Sequence, residues 1–216
     1  MNDRSDADEL SRIRGLMERS TRFLSLSGLS GVVAGTIALA GAFAAHWYID
    51  SRMLYSDDPM SYRGTSGSSY WDHVMDLGGL AVAVLVLALL SAAWFTWQRT
   101  IKLGHTLWDG SARRLVVNLM IPLAAGGIFC LALLQYGLPA LIPSATLLFY
   151  GLALLNASKY TLDEIRWLAL SEILLGLASA FWIGAGLMFW ALGFGVLHIF
   201  YGSLMYFRHE RKGVEQ

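Results

Sequence analysis

The feature that most constrains this chain is a set of long stretches without a single charged side chain. Residues 23–49, 77–98 and 115–158 contain no Asp, Glu, Lys or Arg, and residues 167–207 contain only Glu172. A helix needs about 20 apolar residues to cross the roughly 30 Å hydrocarbon core of a bilayer. The first two stretches are long enough for one crossing each and the last two for two crossings each. The sequence therefore predicts six transmembrane helices.

Turn-forming residues divide the two longer stretches. Residues 135–139 read Gln-Tyr-Gly-Leu-Pro, and Pro143 follows with Ser144 as a predicted N-cap. The other division is predicted between Gly184 and Trp190. The spans are then expected at about 23–49, 77–98, 114–135, 143–158, 165–186 and 189–207. This predicts an all-α membrane protein, a single six-transmembrane-helix bundle over residues 23–207.

Composition agrees with a bilayer as the surrounding solvent. The chain is 56% hydrophobic and 15% charged, whereas soluble domains carry about 25% charged residues. Its net charge is zero, so it has no overall basic field that would attract nucleic acid, and we expect no nucleic-acid partner. The single cysteine, Cys130, excludes an internal disulfide and a thiolate metal site.

The positions of Lys and Arg predict the orientation. In a six-span protein, 14 of the 16 basic residues fall on the side of the two termini, and only Arg52 and Arg63 fall on the other side. Because cytoplasmic loops are enriched in basic residues, we expect both termini in the cytoplasm and a location in the cell inner (plasma) membrane.

The segments outside the bilayer are short. Residues 1–22 predict a short amphipathic cytoplasmic helix, either lying at the membrane interface or solvated. Thr161 and Glu164 have the spacing of a capping box at the start of the fifth span. Residues 208–216 are expected to form a cytoplasmic tail.

Four polar residues fall at membrane depth. Glu172 and His198 lie inside predicted spans, and Asn118 and Asn156 lie at shallower depth where they could reach Glu172. Ionisable groups in a span indicate a functional site by default, so a proton- or cation-responsive site is one hypothesis. A polar clamp between helices is the other, with Asn118, Asn156 or Lys159 as the expected partner of Glu172.

A second polar set is predicted at the opposite side of the membrane, where the first and second spans should be neighbours. Imidazole with carboxylate suits a divalent metal or a proton site. However, such residues are also ordinary at helix ends, so we expect no bound metal or cofactor. The metal-site candidates are His46, Asp50, Asp72, His73 and Asp76.

Small residues recur at four-residue intervals in the first span, at Ser27, Gly31 and Gly35. Such a stripe lets helix backbones approach closely. Packing within one chain is the expected use, and a homo-oligomer is left open.

Two stretches, residues 13–31 (IRGLMERSTRFLSLSGLSG) and residues 149–161 (FYGLALLNASKYT), carry a resemblance to known sequences. They resemble a group of uncharacterised bacterial six-helix inner-membrane proteins with no established activity. The resemblance implies a bacterial source, and proteins of this group accompany small winged-helix regulators.

No catalytic pattern appears, since His-Glu-x-x-His and paired intramembrane aspartates are both missing. We therefore expect a protein that is not an enzyme. The leading hypothesis is a membrane sensor or scaffold with a cytoplasmic protein partner. The alternative is a small transporter or channel that uses Glu172 and His198.

Overall fold

A computed structural model describes residues 26–54, 67–102, 108 and 110–211. The predicted amphipathic helix at residues 1–22 lies outside the described residues. Within the described part the chain is helical throughout, apart from short turns, and contains no strand. The predicted all-α class is confirmed for these residues.

Seven α-helices follow one another in the described chain: α1 (Gly28–Leu54), α2 (Gly67–Lys102), α3 (Gly110–Gln135), α4 (Ile142–Ala157), α5 (Asp163–Phe181), α6 (Gly186–Trp190) and α7 (His198–Met205). Short 3-10 helices occupy Pro139–Leu141, Ser158–Tyr160 and Ile183–Ala185. Two π-helical segments, Ala191–Leu197 and Tyr206–Glu210, continue α6 and α7 without a break. Residues 186–210 are therefore one continuous helix, which we call the C-terminal helix.

Five stretches of the described chain are long and apolar enough to cross a membrane: Gly28–Ser51, Trp71–Lys102, Gly110–Gln135, Pro139–Tyr160 and Ile183–Glu210. The remaining long helix, α5, carries Asp163, Glu164, Arg166 and Glu172 within its 19 residues. Five helices thus have the length and composition of membrane spans, and the charges of α5 set it apart from them.

The helices pack in a row. α2 packs along α1, α1 along the C-terminal helix, the C-terminal helix against α5, α5 against α4, and α4 against α3. The edge helices α2 and α3 follow each other in the chain, but they form no packed interface among the described residues. The buried apolar core lies at the centre of the row, where α4 and α5 meet the C-terminal helix at Met205.

The small-residue stripe of α1 packs against the C-terminal helix. A Cβ atom on Gly31 would lie 3.1 Å from the Cα atom of Gly202, and one on Gly35 would lie 2.6 Å from the carbonyl oxygen of Gly195. The two backbones are in direct contact, so only glycine fits at these positions. The expected use of the stripe within one chain is confirmed.

Two predicted details are wrong. Ser144 does not cap α4, because the helix begins at Ile142 and takes Pro143 into its first turn, where proline is tolerated. The division before α6 comes at Trp182 and Ile183–Ala185, earlier than expected. Gly186 is already helical and packs on Pro143, so this glycine serves close packing and not a turn.

Candidate functional site

Glu172 is the most deeply buried ionisable group among the described residues. It lies on α5, its exposed fraction is 0%, and neither carboxyl oxygen has a hydrogen-bond partner. Its Oε2 atom faces the C-terminal helix, where a Cβ atom on Gly193 would lie only 2.5 Å away. Gly193 thus leaves the space that the carboxyl group fills. A buried carboxylate without partners is costly, so this group needs a proton or a cation nearby.

His198 supplies the polar group facing Glu172. Its ring is held at both nitrogens, since Nδ1 is 3.0 Å from the carbonyl oxygen of Gly193 and Nε2 is 2.8 Å from the hydroxyl of Tyr150. A carbonyl only accepts, so Nδ1 carries the hydrogen and Nε2 of the neutral ring accepts from Tyr150. The ring of Phe194 stacks on the imidazole with 5.9 Å between centroids. The position and tautomer of His198 are therefore defined by its neighbours.

The Glu172 and His198 side chains form a close but unbonded pair. The distance from Nδ1 to Oε1 is 3.4 Å, beyond the usual 2.7–3.2 Å of an N–H···O hydrogen bond. The hydrogen on Nδ1 already serves Gly193. A movement of a few tenths of an ångström would bring Oε1 within bonding distance of that hydrogen. The geometry can therefore hold one proton between two alternative acceptors, the Gly193 carbonyl and the Glu172 carboxylate.

The expected partners of Glu172 are engaged elsewhere, which corrects the sequence prediction. The Asn118 amide donates to the Arg114 carbonyl of its own helix, and the Asn156 amide donates to the Asn118 carbonyl. Lys159 is exposed. The two asparagines thus join α3 to α4, and neither bonds to Glu172. The depth of a residue along a span carries no information about which way its side chain faces.

A second polar cluster lies where the C-terminal helix ends, beside the start of α1. We call this end of the bundle the base and define it by Leu26, Arg99, Glu164 and Glu210. Glu210 accepts hydrogen bonds from the Gly28 backbone N–H and the Ser27 hydroxyl, and pairs with Arg99 Nη1 at 3.0 Å. Arg99 also donates to the Leu26 carbonyl.

Glu210 thereby caps the N-terminus of α1 from another helix and joins three elements. The Arg99 and Glu210 side chains are only 13% and 15% exposed. A charge pair that is largely removed from water becomes strongly destabilising when one partner is lost. The joint therefore fixes α1 and α2 to the last turn of the C-terminal helix.

Glu164, near the start of α5, makes the other contact of the base. It lies one residue too early for the predicted capping box, because the N-cap of α5 is Leu162 and not Thr161. Its carboxylate accepts instead from Arg208 at 3.2 Å and contacts His209 Nε2 at 3.1 Å. Burial alone would raise the pKa of Glu164, but hydrogen bonds from its own backbone, His209 and Arg208 outweigh burial and lower that pKa. The group is therefore ionised and holds α5 to the C-terminal helix.

The polar set at the far end does not assemble a ligand set. Tyr48 donates to Asp76 at 2.6 Å, and its hydroxyl lies 3.1 Å from His73 Nδ1. His46, Asp50 and Asp72 are exposed. Across the part of the chain that the structure describes, no three His, Cys, Asp or Glu side chains are grouped to hold a metal ion. What the sequence did not indicate is that Tyr48 joins α1 to α2 here.

Comparison with protein-family models, curated proteins and solved structures finds no match. What the site can do follows from its own residues. Sequence reasoning found Glu172 and His198 but missed Tyr150, Gly193 and the Arg99–Glu210 joint. A tyrosine or a glycine in an apolar run is too common to stand out, and Glu210 lies three residues past the last predicted span.

Proposed function

We propose that this chain is a non-enzymatic, proton-responsive sensor of the bacterial inner membrane, built from six transmembrane helices with both termini in the cytoplasm. The observation that carries the proposal is the fully buried Glu172, whose two carboxyl oxygens lack hydrogen bonds. A purely structural clamp would use those oxygens. An unbonded carboxyl group beside an imidazole is suited to gaining and losing a proton.

The sixth span in this proposal is α5. Its charged residues lie at two levels, the base and the membrane interior. Asp163, Glu164 and Arg166 lie in its first turn, at the base, where headgroups and water would solvate them. Only Glu172 then remains at membrane depth. Six spans place the start of α1 and the end of the C-terminal helix on one side, as their contact through Glu210 requires.

In this proposal, a structural change at Glu172 and His198 is transmitted along the C-terminal helix to the N-terminal segment. Gly193 lies within the first π-helical segment and His198 directly follows it, and π-helical turns are frequent at functional sites. The same helix contacts α1 backbone to backbone at Gly35 and Gly195. It ends at Glu210, which holds the first residues of α1 directly after the N-terminal segment. A change in proton sharing at His198 would therefore reach the N-terminal segment, where we place a cytoplasmic protein partner.

The fluorescence of Trp190 tests the sensor, because its ring lies 5.0 Å from Phe194, which stacks on His198. Subtracting the spectrum of a Trp190→Phe variant isolates this signal in the reconstituted protein. We expect a pH-dependent change that Glu172→Gln removes and Glu164→Gln retains. The same pH response in Glu172→Gln and the unaltered protein would contradict the proposal.

Topology is tested separately with reporter fusions. Fusions after Lys102, Tyr160 and Gln216 are expected to report the cytoplasm, and a fusion at Ser66 the opposite side. A cytoplasmic report at Ser66 would exclude the six-span arrangement.

The second candidate is a small transporter or channel, favoured by the same unbonded carboxyl group. A protomer of 23.8 kDa would then need to assemble with copies of itself to form a pore. Because the stripe of α1 is occupied by the C-terminal helix, a homo-oligomer would have to use other surfaces. Proton flux into proteoliposomes that Glu172→Gln abolishes would favour this candidate. Flux equal to that of empty vesicles would exclude proton transport and leave the sensor as the favoured function.

A further inference from the structure

A cavity of about 400 Å³ lies at the N-terminal end of α3. Its described lining is Gly110, Arg113, Arg114, Val117 and Asn118. These residues recur at intervals of three and four, so they share one face of the helix. The cavity is open on one side, and nothing in the sensor proposal uses it.

Among its described lining residues, the cavity presents two positive charges and no negative charge. Arg113 and Arg114 are both exposed, and neither guanidinium has an ion pair or hydrogen bond with any residue that the structure describes. By contrast, Arg99 and Arg208 are paired with Glu210 and Glu164. Adjacent guanidinium groups bind phosphate oxygens through strong charge-assisted hydrogen bonds. The cavity is therefore suited to an anion that carries a phosphate group.

An apolar stripe continues from the cavity along the same face of α3. Val117, Ile121 and Ile128 are spaced by four and seven residues and are 50%, 64% and 70% exposed. From Val117 to Ile128 the helix rises about 16 Å, roughly half of the 30 Å hydrocarbon core. The stripe thus matches the depth of one leaflet. Among the described residues, α3 is an edge helix that packs on α4 and the two short 3-10 helices that flank α4, so this face would be open to lipid in a bilayer.

We propose that this face of α3 is a binding site for one anionic phospholipid. The phosphodiester lies against Arg113 and Arg114, and an acyl chain lies along Val117, Ile121 and Ile128. Basic pockets of this kind on the cytoplasmic side of membrane helices bind anionic headgroups. Charge complementarity and the length of the stripe both point to a lipid and not to a soluble anion.

Native mass spectrometry of the full-length protein in detergent tests the site, with phosphatidylglycerol and phosphatidylcholine of identical acyl chains as probes. Each basic residue at an anionic membrane surface contributes about fivefold in affinity. The double variant Arg113→Gln/Arg114→Gln is therefore expected to bind phosphatidylglycerol about 25-fold more weakly. Arg166→Gln, which removes an exposed arginine of α5, is the matched control and is expected to keep the affinity.

Three outcomes would overturn the proposal. The first is equal binding of the two lipids, which would show that charge is not recognised. The second is unchanged phosphatidylglycerol binding in the double variant, which would place the lipid elsewhere. The third is displacement of phosphatidylglycerol by millimolar inorganic phosphate with no dependence on acyl-chain length, which would make the site one for a soluble anion. Thermal unfolding of each variant without added lipid verifies that the substitutions leave the fold intact.

Discussion

Replacing Gly193 by alanine tests the geometry of the Glu172 site directly. The new Cβ atom would lie 2.5 Å from Glu172 Oε2 and 2.4 Å from Leu147 Cδ2, whereas ordinary contact begins at 3.4 Å. The carboxyl group would have to retreat by about 0.9 Å, the difference between 3.4 and 2.5 Å. Glu172 and Leu147 are both fully buried, so neither side chain can swing into solvent. Overpacking of this kind costs about 1–3 kcal/mol.

Gly79→Ala is the matched control, because Gly79 lies in α2 with nothing within 4 Å of its added Cβ atom. Both variants gain the helix propensity of alanine, about 0.5–1 kcal/mol, so their difference isolates the packing cost. Equilibrium unfolding in detergent micelles should place Gly193→Ala about 1–3 kcal/mol below Gly79→Ala in stability. Truncation by Glu172→Ala should then remove part of the penalty, since contacting residues couple by about 0.5–3 kcal/mol. Equal stability of the two alanine variants would refute the reasoning.

Three further predictions concern the carboxyl groups. Glu172→Met, similar in length and apolar, should unfold within about 1 kcal/mol of the unaltered protein or be more stable, because no hydrogen bond is lost; a loss above about 2 kcal/mol on denaturant titration would reveal a bond that the structure lacks. Glu210→Gln leaves the largely buried Arg99 without its counter-charge and should cost about 3 kcal/mol in the same titration, whereas a cost near zero would show that this ion pair does not stabilise the bundle. Glu164 has a lowered pKa, so its contribution is complete above its ordinary pKa of 4.5 and is lost as pH falls through the lower folded value. The difference in unfolding midpoint between the unaltered protein and Glu164→Gln should therefore shrink below about pH 4.5, and a constant difference would contradict this assignment.

Bilayer thickness explains why the helices could be predicted and some of their contacts could not. A crossing needs a minimum number of apolar residues, so long uncharged stretches indicate membrane-length helices without knowledge of their packing. The stripe at Gly31 and Gly35 could likewise be recognised as a close helix contact. Its partner, Gly195 and Gly202 on the C-terminal helix, could not be chosen among the many glycines of the chain.

The partner of Glu172 was mispredicted for a physical reason. Depth alone favours Asn118 and Asn156, yet both side-chain amides bond to backbone carbonyls of α3. In the structure α5 begins at Asp163 and the C-terminal helix extends to Glu210, which brings the Glu172 and His198 side chains to nearly the same level. No local pattern announces a π-helical segment, so the turn that presents Gly193 was not foreseeable.

Infrared difference spectroscopy of the protein in lipid bilayers, recorded as pH is varied, tests directly whether Glu172 gains and loses a proton. We expect a carboxylic-acid carbonyl band that appears and disappears with pH, is missing in Glu172→Gln and persists in Glu164→Gln. His198→Gln should shift the pH at which the band changes, because it removes the group 3.4 Å from Oε1. A pH difference spectrum in Glu172→Gln identical to that of the unaltered protein would show that Glu172 takes up no proton, and would contradict the account.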